Sequence, residues 1–329
     1  MLYPLKFIPA MKDYIWGGRG LEKLGKVLPE GIVAESWEIS GHPDGLGRVA
    51  DGVHAGKTLP ELMTELGRDL VGTALPEEAL RTFPLLVKFI DANDRLSVQV
   101  HPDDTYAAAH ENGSLGKTEM WVVLDAEPDA KLVYGLRPGV TKERFAQAVG
   151  DGQVAECLNE VPAHKGDVFD IPAGLVHAIG KGLIIAEIQQ NSNTTYRVYD
   201  YDRTDAAGNK RPLHVDKALD VMDFQGGGIP KPLSLSASNG LGAVQALLVL
   251  NRYFAVERLE LDGRFQTVAD GSRFELLILT EGSARIAWDG GNMPVSMGDS
   301  LLLPARLGAY TVEGTCTAHR AWVPYSHGR

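Results

Sequence analysis

The stretch Gly-Asp-Val-Phe-Asp-Ile-Pro-Ala-Gly-Leu-Val-His at residues 166–177 spaces its glycines, proline and histidine in a regular way. Pro172 and Gly174 are typical turn residues, because proline presets one backbone angle and glycine tolerates angles that other residues avoid. From Asp167 to about Tyr201 the chain consists of short β-branched and apolar runs separated by glycine and proline, which is typical of a barrel or sandwich. The turn residues therefore predict a turn directly before His177, within a β-rich region.

A second stretch, Leu-Ser-Val-Gln-Val-His-Pro at residues 96–102, alternates apolar and polar residues. Successive side chains of a strand point to opposite faces. The polar residues would therefore share one face: Ser97, Gln99 and His101. The apolar residues would share the other face: Leu96, Val98 and Val100. We expect one face to carry chemistry and the other to pack in the core.

Glu119 opens the strongly apolar run Glu-Met-Trp-Val-Val-Leu, which predicts a further strand. With the two stretches above it completes a set of two imidazoles, a carboxylate and an amide oxygen: Gln99, His101, Glu119 and His177. Such a set suits Zn²⁺, because imidazole and carboxylate are its ordinary ligands when no thiolates are available. Two histidines and one carboxylate can equally form the facial triad of non-haem Fe(II), so an oxygenase is an alternative.

The composition is that of a globular protein of about two domains. The chain has 329 residues, of which 44% are hydrophobic and 23% are charged. A formal net charge of −11 argues against general nucleic-acid binding, which needs a basic surface. An anionic substrate would need a local cationic pocket. The candidates for it are Lys88, Lys117, Arg197 and Arg203.

The amino terminus lacks the pattern of a signal peptide, and no apolar run approaches the length of a membrane span. The two cysteines, Cys157 and Cys316, are far apart, so a disulfide framework is not expected. We therefore expect a cytoplasmic protein without a membrane partner.

Helical spacing occurs in three places. The apolar residues that follow Thr58 predict a helix, and a short second helix is expected near residues 76–81. Residues 140–158 predict another helix, with Thr141 as its N-cap. Between them, residues 83–92 predict a strand that puts Lys88 among apolar residues, where a lysine either extends to the surface or faces a pocket.

Two later runs alternate. Residues 183–189 place Glu187 on the same face as Leu183, Ile185 and Gln189, and a buried carboxylate there would need a partner. In the run from Thr195, one face would hold Arg197, Tyr199, Tyr201 and Arg203. The alternative for this run is a surface strand with Arg–Asp pairs.

The C-terminal part holds an internal repeat. Residues 297–309 can be aligned with residues 165–177, but Ala309 falls where His177 falls. The glycine-, proline- and serine-rich residues 225–241 predict a linker. We therefore expect a catalytic domain at residues 1–240 and a degenerate, metal-free β domain at residues 241–329.

These motifs resemble the type I mannose-6-phosphate isomerases (phosphomannose isomerases) of the cupin superfamily, in their short bacterial form. The resemblance rests on six stretches: Trp-Gly-Gly at 16–18, Ala-Glu-Ser-Trp-Glu-Ile-Ser at 34–40, Val-Gln-Val-His-Pro-Asp-Asp at 98–104, Gly-Lys-Thr-Glu-Met-Trp at 116–121, Pro-Ala-Gly-Leu-Val-His-Ala-Ile at 172–179, and Thr-Thr-Tyr-Arg-Val-Tyr-Asp-Tyr-Asp-Arg at 194–203. It implies a mainly β fold, a bicupin of two jelly-roll barrels with a few short helices in the N-terminal part.

The resemblance also implies roles for individual residues. It implies one zinc ion per chain, bound by Gln99, His101, Glu119 and His177. For catalysis or substrate binding it implies Lys88, Lys117, Glu187 and Arg197. Ser97, on the polar strand face, is a further candidate for substrate binding. Longer relatives carry an aspartate where this chain has Asn193, so a mechanism that uses that aspartate does not transfer. They also insert a large helical domain that this chain lacks.

We therefore expect a zinc-dependent aldose–ketose isomerase that interconverts mannose 6-phosphate and fructose 6-phosphate through a cis-enediol. This chemistry needs a base that moves a proton between C1 and C2 and a cation that stabilises the developing oxyanion. Glu187 is the candidate base, and Arg197 and Lys117 are further catalytic candidates. The alternatives are a metal-dependent cupin oxygenase and a non-catalytic sugar-binding bicupin. The expected partner is a small sugar phosphate, and the expected assembly is a monomer or weak homodimer.

Overall fold

The structure, a computed structural model, describes residues 2–204, 207–225, 235–238 and 240–324. Strands dominate it. The strands before residue 200 are β1 (Leu5–Ile8), β2 (Ala10–Lys12), β3 (Glu35–Ile39), β4 (Arg48–Val49), β5 (Leu85–Ala92), β6 (Val98–Val100), β7 (Glu119–Ala126), β8 (Lys131–Leu136), β9 (Leu158–Pro162), β10 (Val168–Ile171), β11 (His177–Ile179), β12 (Leu183–Gln190) and β13 (Tyr196–Tyr199). The later strands are β14 (Leu235–Ser238), β15 (Ala243–Leu250), β16 (Ala255–Ala269), β17 (Glu275–Trp288), β18 (Gly291–Ser296), β19 (Ser300–Leu303) and β20 (Gly308–Trp322).

The helices are few and short. Among the described residues they are α1 (Leu59–Leu66), α2 (Arg68–Val71), α3 (Asp104–His110), α4 (Lys142–Gly150) and α5 (Val215–Val221). Single 3-10 turns lie at Gly20–Leu24, Gly52–His54, Glu77–Leu80 and Val154–Cys157. No helix in these described ranges is long and apolar enough to span a membrane. The predicted mainly β fold with a few helices is confirmed, whereas closure into two jelly-roll barrels stays a prediction.

Two antiparallel sheets carry the residues predicted for the site. One has the order β10-β7-β12-β5-β3-β2 and the other has the order β13-β6-β11-β8-β9. Their facing sides share one hydrophobic cluster, in which Trp121 and Ile185 of the first sheet pack with Leu132 and Ile179 of the second. Side chains that point between these sheets therefore either pack in this core or face the site.

The third sheet belongs mostly to the C-terminal part and has the order β14-β15-β16-β20-β17-β19-β1-β4, with β18 paired to β17. Its partner from the start of the chain is β1, where Leu5 is opposite Leu302 of β19. Strand β1 thus joins the two ends of the chain in one sheet. The division between residues 240 and 241 stays a prediction. Strands β1, β4 and β14 belong to the C-terminal sheet although all three precede residue 241.

The helices predicted after Thr58 and from residue 140 are confirmed in place, but the second is shorter than predicted, and the helix expected near residues 76–81 is a 3-10 turn at Glu77–Leu80. The Thr58 backbone N–H donates to Glu61 Oε2 at 2.7 Å and caps α1, as the capping-box pattern requires. Thr141 caps α4, because its hydroxyl accepts from the Arg144 backbone N–H. The single helix predicted for residues 140–158 is wrong beyond Gly150, because Gly152 adopts a left-handed φ of 70° and turns the chain toward β9.

Two strand faces also differ from expectation. The face predicted to run from Arg197 to Arg203 ends with β13, because Tyr201 has a left-handed φ of 55° and Arg203 turns back to donate to Asp200 at 2.6 Å. Leu96 packs between the two sheets rather than in the cluster that contains Val98 and Val100. Most of the linker predicted for residues 225–241 lies outside the described residues, and residues 235–238 form β14.

Candidate active site

The predicted ligands converge where β6, β7 and β11 meet. Gln99 of β6 and His177 of β11 are directly opposite in the sheet, and Gln99 Nε2 lies 3.4 Å from His177 Nε2. His101 follows β6, and Glu119 begins β7. One ligand atom from each of His101, Glu119 and His177 lies within 4.8 Å of the others, and all three side chains are buried. The sequence prediction that these residues come together is confirmed.

The two imidazoles have fixed tautomers. His101 Nδ1 donates to the Thr194 carbonyl at 2.9 Å, and His177 Nδ1 donates to the Leu175 carbonyl at 2.8 Å. Burial lowers the pKa of His177 to about 4 and, with Lys117, lowers the pKa of His101 well below its usual value. Both rings are therefore neutral near pH 7, and both Nε2 atoms are acceptors close to Glu119; His101 Nε2 also accepts from Lys117 Nζ at 3.1 Å.

This donor set fits a divalent cation. The two Nε2 atoms lie at nearly equal distances from Glu119 oxygens, 3.5 Å for His101 and 3.4 Å for His177. Glu119 Oε1 is buried and accepts no hydrogen bond. Histidines that bind metals ordinarily donate their other ring nitrogen to a carbonyl or carboxylate, as both do here. The Gln99 amide can present its oxygen to the same point after a flip.

Charged side chains alternate in sign beside this cluster. Lys117 Nζ lies 2.6 Å from Glu119 Oε2 and 3.9 Å from Glu187 Oε1. Lys88 Nζ lies 3.3 Å from Glu187 Oε1 and 3.5 Å from Glu35 Oε2. Glu187 thus has the partner that a buried carboxylate requires.

The pKa shifts follow from this arrangement. Burial and the nearby Glu187 raise the pKa of Glu119 to about 7. Burial also disfavours ionised Glu187, but Lys117 and Lys88 outweigh that cost and lower its pKa. For Lys88 the burial effect is outweighed by Glu35 and Glu187, so its pKa lies above the usual value. Glu187 and Lys88 are therefore both charged near neutral pH.

Arg197 of β13 is directly opposite Gln99 of the neighbouring strand β6 in the second sheet. Its Nε donates to Ser97 Oγ at 3.1 Å and its Nη1 donates to the Pro212 carbonyl at 3.0 Å. Ser97, Gln99 and Arg197 therefore form a contiguous polar surface, and the polar face predicted for residues 97–101 is confirmed.

A cavity of about 260 Å³ lies among the predicted polar and charged side chains. The predicted residues that line it are Lys88, Ser97, Gln99, Lys117, Glu187 and Arg197. A larger groove of about 760 Å³ adjoins it and shares Asn193 and Thr195, but contains none of the predicted ligands. The smaller cavity is therefore the candidate active site.

Several lining residues were not among the sequence candidates: Tyr14, Trp16, Glu35 and Arg211. Glu35 could have been found, because the alternation of its strand puts it on one face with Trp37. Arg211 has no comparable local signal. It reaches the cavity because Asp200 accepts from its Nε at 2.8 Å and its Nη2 at 2.5 Å. Arg203, a sequence candidate, bonds the same Asp200 but does not line the cavity.

Comparison with known proteins gives consistent matches. The family description "Phosphomannose isomerase type I, catalytic domain" matches residues 4–128, and "Mannose-6-phosphate isomerase, cupin domain" matches residues 244–323. The chain is 40% identical over 322 residues to probable mannose-6-phosphate isomerase GmuF of Bacillus subtilis, covering 96% of this chain and 98% of that protein.

Two further matches cover nearly the whole chain. Mannose-6-phosphate isomerase ManA of B. subtilis is 40% identical over 311 residues, covering 94% of this chain and 96% of that protein. The crystal structure of the mannose 6-phosphate isomerase from B. subtilis superposes with a TM-score of 0.90 at 34% identity, covering 97% of this chain and 99% of that one.

Proposed function

The chain belongs to the type I phosphomannose isomerase family and is an aldose–ketose isomerase, and from this premise we propose that it interconverts mannose 6-phosphate and fructose 6-phosphate. The observation that carries the proposal is a single cavity lined by the ionised carboxylate of Glu187 and by Gln99 and Lys117, whose side chains lie against His177 and Glu119 of the buried cluster. Aldose–ketose isomerisation needs a base that reaches C1 and C2 and a cationic group at the attached oxygens, and Glu187 and Arg197 line the same cavity.

We propose that one Zn²⁺ is held by Gln99, His101, Glu119 and His177. When bound, it supplies a Lewis acid that stabilises negative charge on a sugar oxygen. The neutral imidazoles and their carbonyl acceptors orient the ligands for it. Loss of one ligand removes most of the affinity, so His101→Ala is expected to lose metal.

Glu187 acts as the base in this proposal. It takes the C2 proton of the open-chain aldose and returns it to C1, while a proton passes from O2 to O1 through a cis-enediol. Trp121 Nε1 donates to Glu187 Oε2 at 3.0 Å and orients the carboxylate, and Glu187 Oε1 accepts no hydrogen bond. The guanidinium of Arg197 cannot lose its proton, so its role is to stabilise the developing oxyanion. Lys117 and Lys88 keep Glu187 ionised, and with Ser97 they are placed to bind sugar oxygens.

The C-terminal cupin domain is proposed to hold no metal. Glu275, a buried acid at the start of β17, accepts from Tyr310 Oη at 2.5 Å and from Arg320 Nη2 at 2.9 Å. A guanidinium therefore supplies the positive charge beside this carboxylate, and Ala309 stands at the position that corresponds to His177. Metal analysis of the purified protein is expected to give one ion per chain.

A coupled assay for fructose 6-phosphate tests the proposed function. The zinc-loaded protein is expected to convert mannose 6-phosphate, and a chelator is expected to abolish turnover until zinc is restored. Glu187→Gln is expected to lower kcat by a factor on the order of a hundred or more, as for loss of a general base. Oxygen consumption without isomerisation would instead support an oxygenase, and a zinc-loaded protein that binds the sugar phosphate without turnover would support a binding protein.

A further inference from the structure

Four side chains form a row across the first sheet. Trp37 of β3 is opposite Lys88 of β5, Lys88 is opposite Glu187 of β12, and Glu187 is opposite Trp121 of β7. Side chains directly opposite on one face of antiparallel strands lie within contact distance. The register of the sheet therefore sets Lys88 against Glu187 and sets a tryptophan at each end of the row.

Glu35 adds a second carboxylate to this row. It lies two residues before Trp37, on the same face of β3, and accepts from Trp37 Nε1 at 2.6 Å. Glu187 accepts in the same way from Trp121 Nε1. Each carboxylate thus accepts from an indole N–H and faces the ammonium of Lys88. Glu35 makes both contacts with Oε2, whereas Glu187 faces the indole with Oε2 and the ammonium with Oε1.

Lys88 is shared almost equally between the two carboxylates, at 3.5 Å from Glu35 and 3.3 Å from Glu187. The three side chains are 10% exposed or less, so water screens them little. The ring of Trp37 lies 4.7 Å from Lys88 Nζ and limits its movement on one side. Neither carboxylate has the ammonium to itself.

We propose that Glu35 is a positioning residue for the isomerisation, which holds Lys88 back from Glu187 and so leaves Glu187 able to accept a proton. A carboxylate in a close ion pair with a buried ammonium is a weaker base than one that shares it. Without the charge of Glu35, Lys88 is attracted to Glu187 alone. The inference rests on the proposed role of Glu187 as the base.

The test is steady-state kinetics on zinc-replete enzyme with Glu35→Gln and Glu35→Asp. Glu35→Gln is expected to lower kcat by a factor on the order of ten or more with little change in KM, because it weakens a step after binding. Glu35→Asp keeps the charge and is expected to recover part of the loss. Zinc content and the unfolding midpoint of each variant identify any general loss of structure.

The matched control is Glu38→Gln. Glu38 lies on the same strand, is 2% exposed, and pairs with Lys26 at 2.5 Å, but it does not line the cavity. We expect it to lower stability and leave kcat unchanged. Glu35→Gln is also combined with Lys88→Met, since residues that act through one another show non-additive effects. Once Lys88 is absent, Glu35→Gln is expected to have little further effect on kcat.

Three outcomes would overturn the inference while wild-type turnover upholds the proposed function. They are an unchanged kcat in Glu35→Gln, a raised KM at constant kcat, which would make Glu35 a substrate contact, and equal losses with and without Lys88. A wild-type protein without isomerase activity would instead reject the proposed function. Full turnover in Glu187→Gln would reject Glu187 as the base, and the inference with it.

Discussion

At the scale of single residues, Arg197 has a fixed orientation, because Nε and Nη1 of its guanidinium donate to Ser97 and to the Pro212 carbonyl. We expect Arg197→Ala to lower kcat by a factor on the order of a hundred or more with little change in KM, as when a transition-state interaction is removed. Steady-state kinetics on zinc-replete enzyme measures this. Wild-type kcat with weakened binding would move Arg197 to the phosphate.

Arg211 and Arg203 form a natural pair for comparison, because both donate to Asp200 but Arg211 alone of the two lines the cavity. If Arg211 binds the phosphate, Arg211→Ala should raise KM for mannose 6-phosphate on the order of tenfold or more, since a hydrogen bond to a charged group contributes about 1.5–3 kcal/mol. Arg203→Ala should leave KM nearly unchanged. Equal effects from the two variants would show that Arg211 acts only by ordering the segment around Asp200.

At the scale of elements, the loop between β3 and β4 packs against the row of side chains that holds Lys88. A Cβ atom on Gly45 would lie 2.6 Å from Cε3 of Trp37, so Gly45→Ala must displace the indole or the loop. We expect a loss of stability of about 1–3 kcal/mol, as for overpacking, together with lower kcat. Denaturant unfolding and steady-state kinetics measure the two effects.

Gly47→Ala in the same loop is the control for this prediction. Its Cβ would meet its nearest neighbour, the Ile8 carbonyl, at 3.5 Å, which is ordinary van der Waals contact. Gly47→Ala should therefore change stability and kcat much less than Gly45→Ala. Similar losses in both variants would indicate that the loop tolerates no side chain, whatever it packs against.

At the scale of the whole molecule, one hydrophobic cluster includes residues from both halves of the chain. Phe83 of the N-terminal half and Phe274 of the C-terminal half are fully buried, with ring centroids 4.5 Å apart. Phe274→Ala should lower the free energy of unfolding by about 3–5 kcal/mol, as is usual for a large buried ring.

The control is Val268→Ala, because Val268 is 61% exposed and should change stability by less than about 0.5 kcal/mol. Calorimetry should show a single transition for the wild-type protein, since the cluster couples the halves. Two separate transitions, with Phe274→Ala shifting only one, would contradict this.

His319 lies in a cavity of about 140 Å³ between β7 and the C-terminal sheet, among Lys165, Arg258, Glu260 and Glu281. Burial lowers its pKa to about 4. An unfolded histidine binds a proton near pH 6.5 and the folded one does not, so His319 makes the free energy of unfolding fall as pH drops from about 6.5 to about 4.

His319→Gln should therefore lose less stability than the wild-type protein between about pH 7 and about pH 5, where the unfolded histidine becomes protonated. Denaturant unfolding of both proteins at the two pH values measures the difference. Equal losses in both proteins would assign the acid sensitivity to other groups.

The sequence alone determined much of the site, because its signals are local. The period of two in residues 96–102 put Ser97, Gln99 and His101 on one face, and turn chemistry at Pro172 and Gly174 identified His177. The same rule put Glu187 on a buried face. Periodicity did not predict the left-handed backbone angles at Gly152 and Tyr201. The helix and the strand therefore ended earlier than predicted.

Only the tertiary structure decided which distant residues share the cavity. Glu35 meets Lys88 because β3 pairs with β5 in one register, and a shift by one residue would turn Glu35 to the opposite face. Arg211 reaches the cavity through Asp200, and β1 joins a C-terminal strand. Periodicity shows which side chains share a face, but pairing and register are set by the packing of the whole core, which no local pattern records.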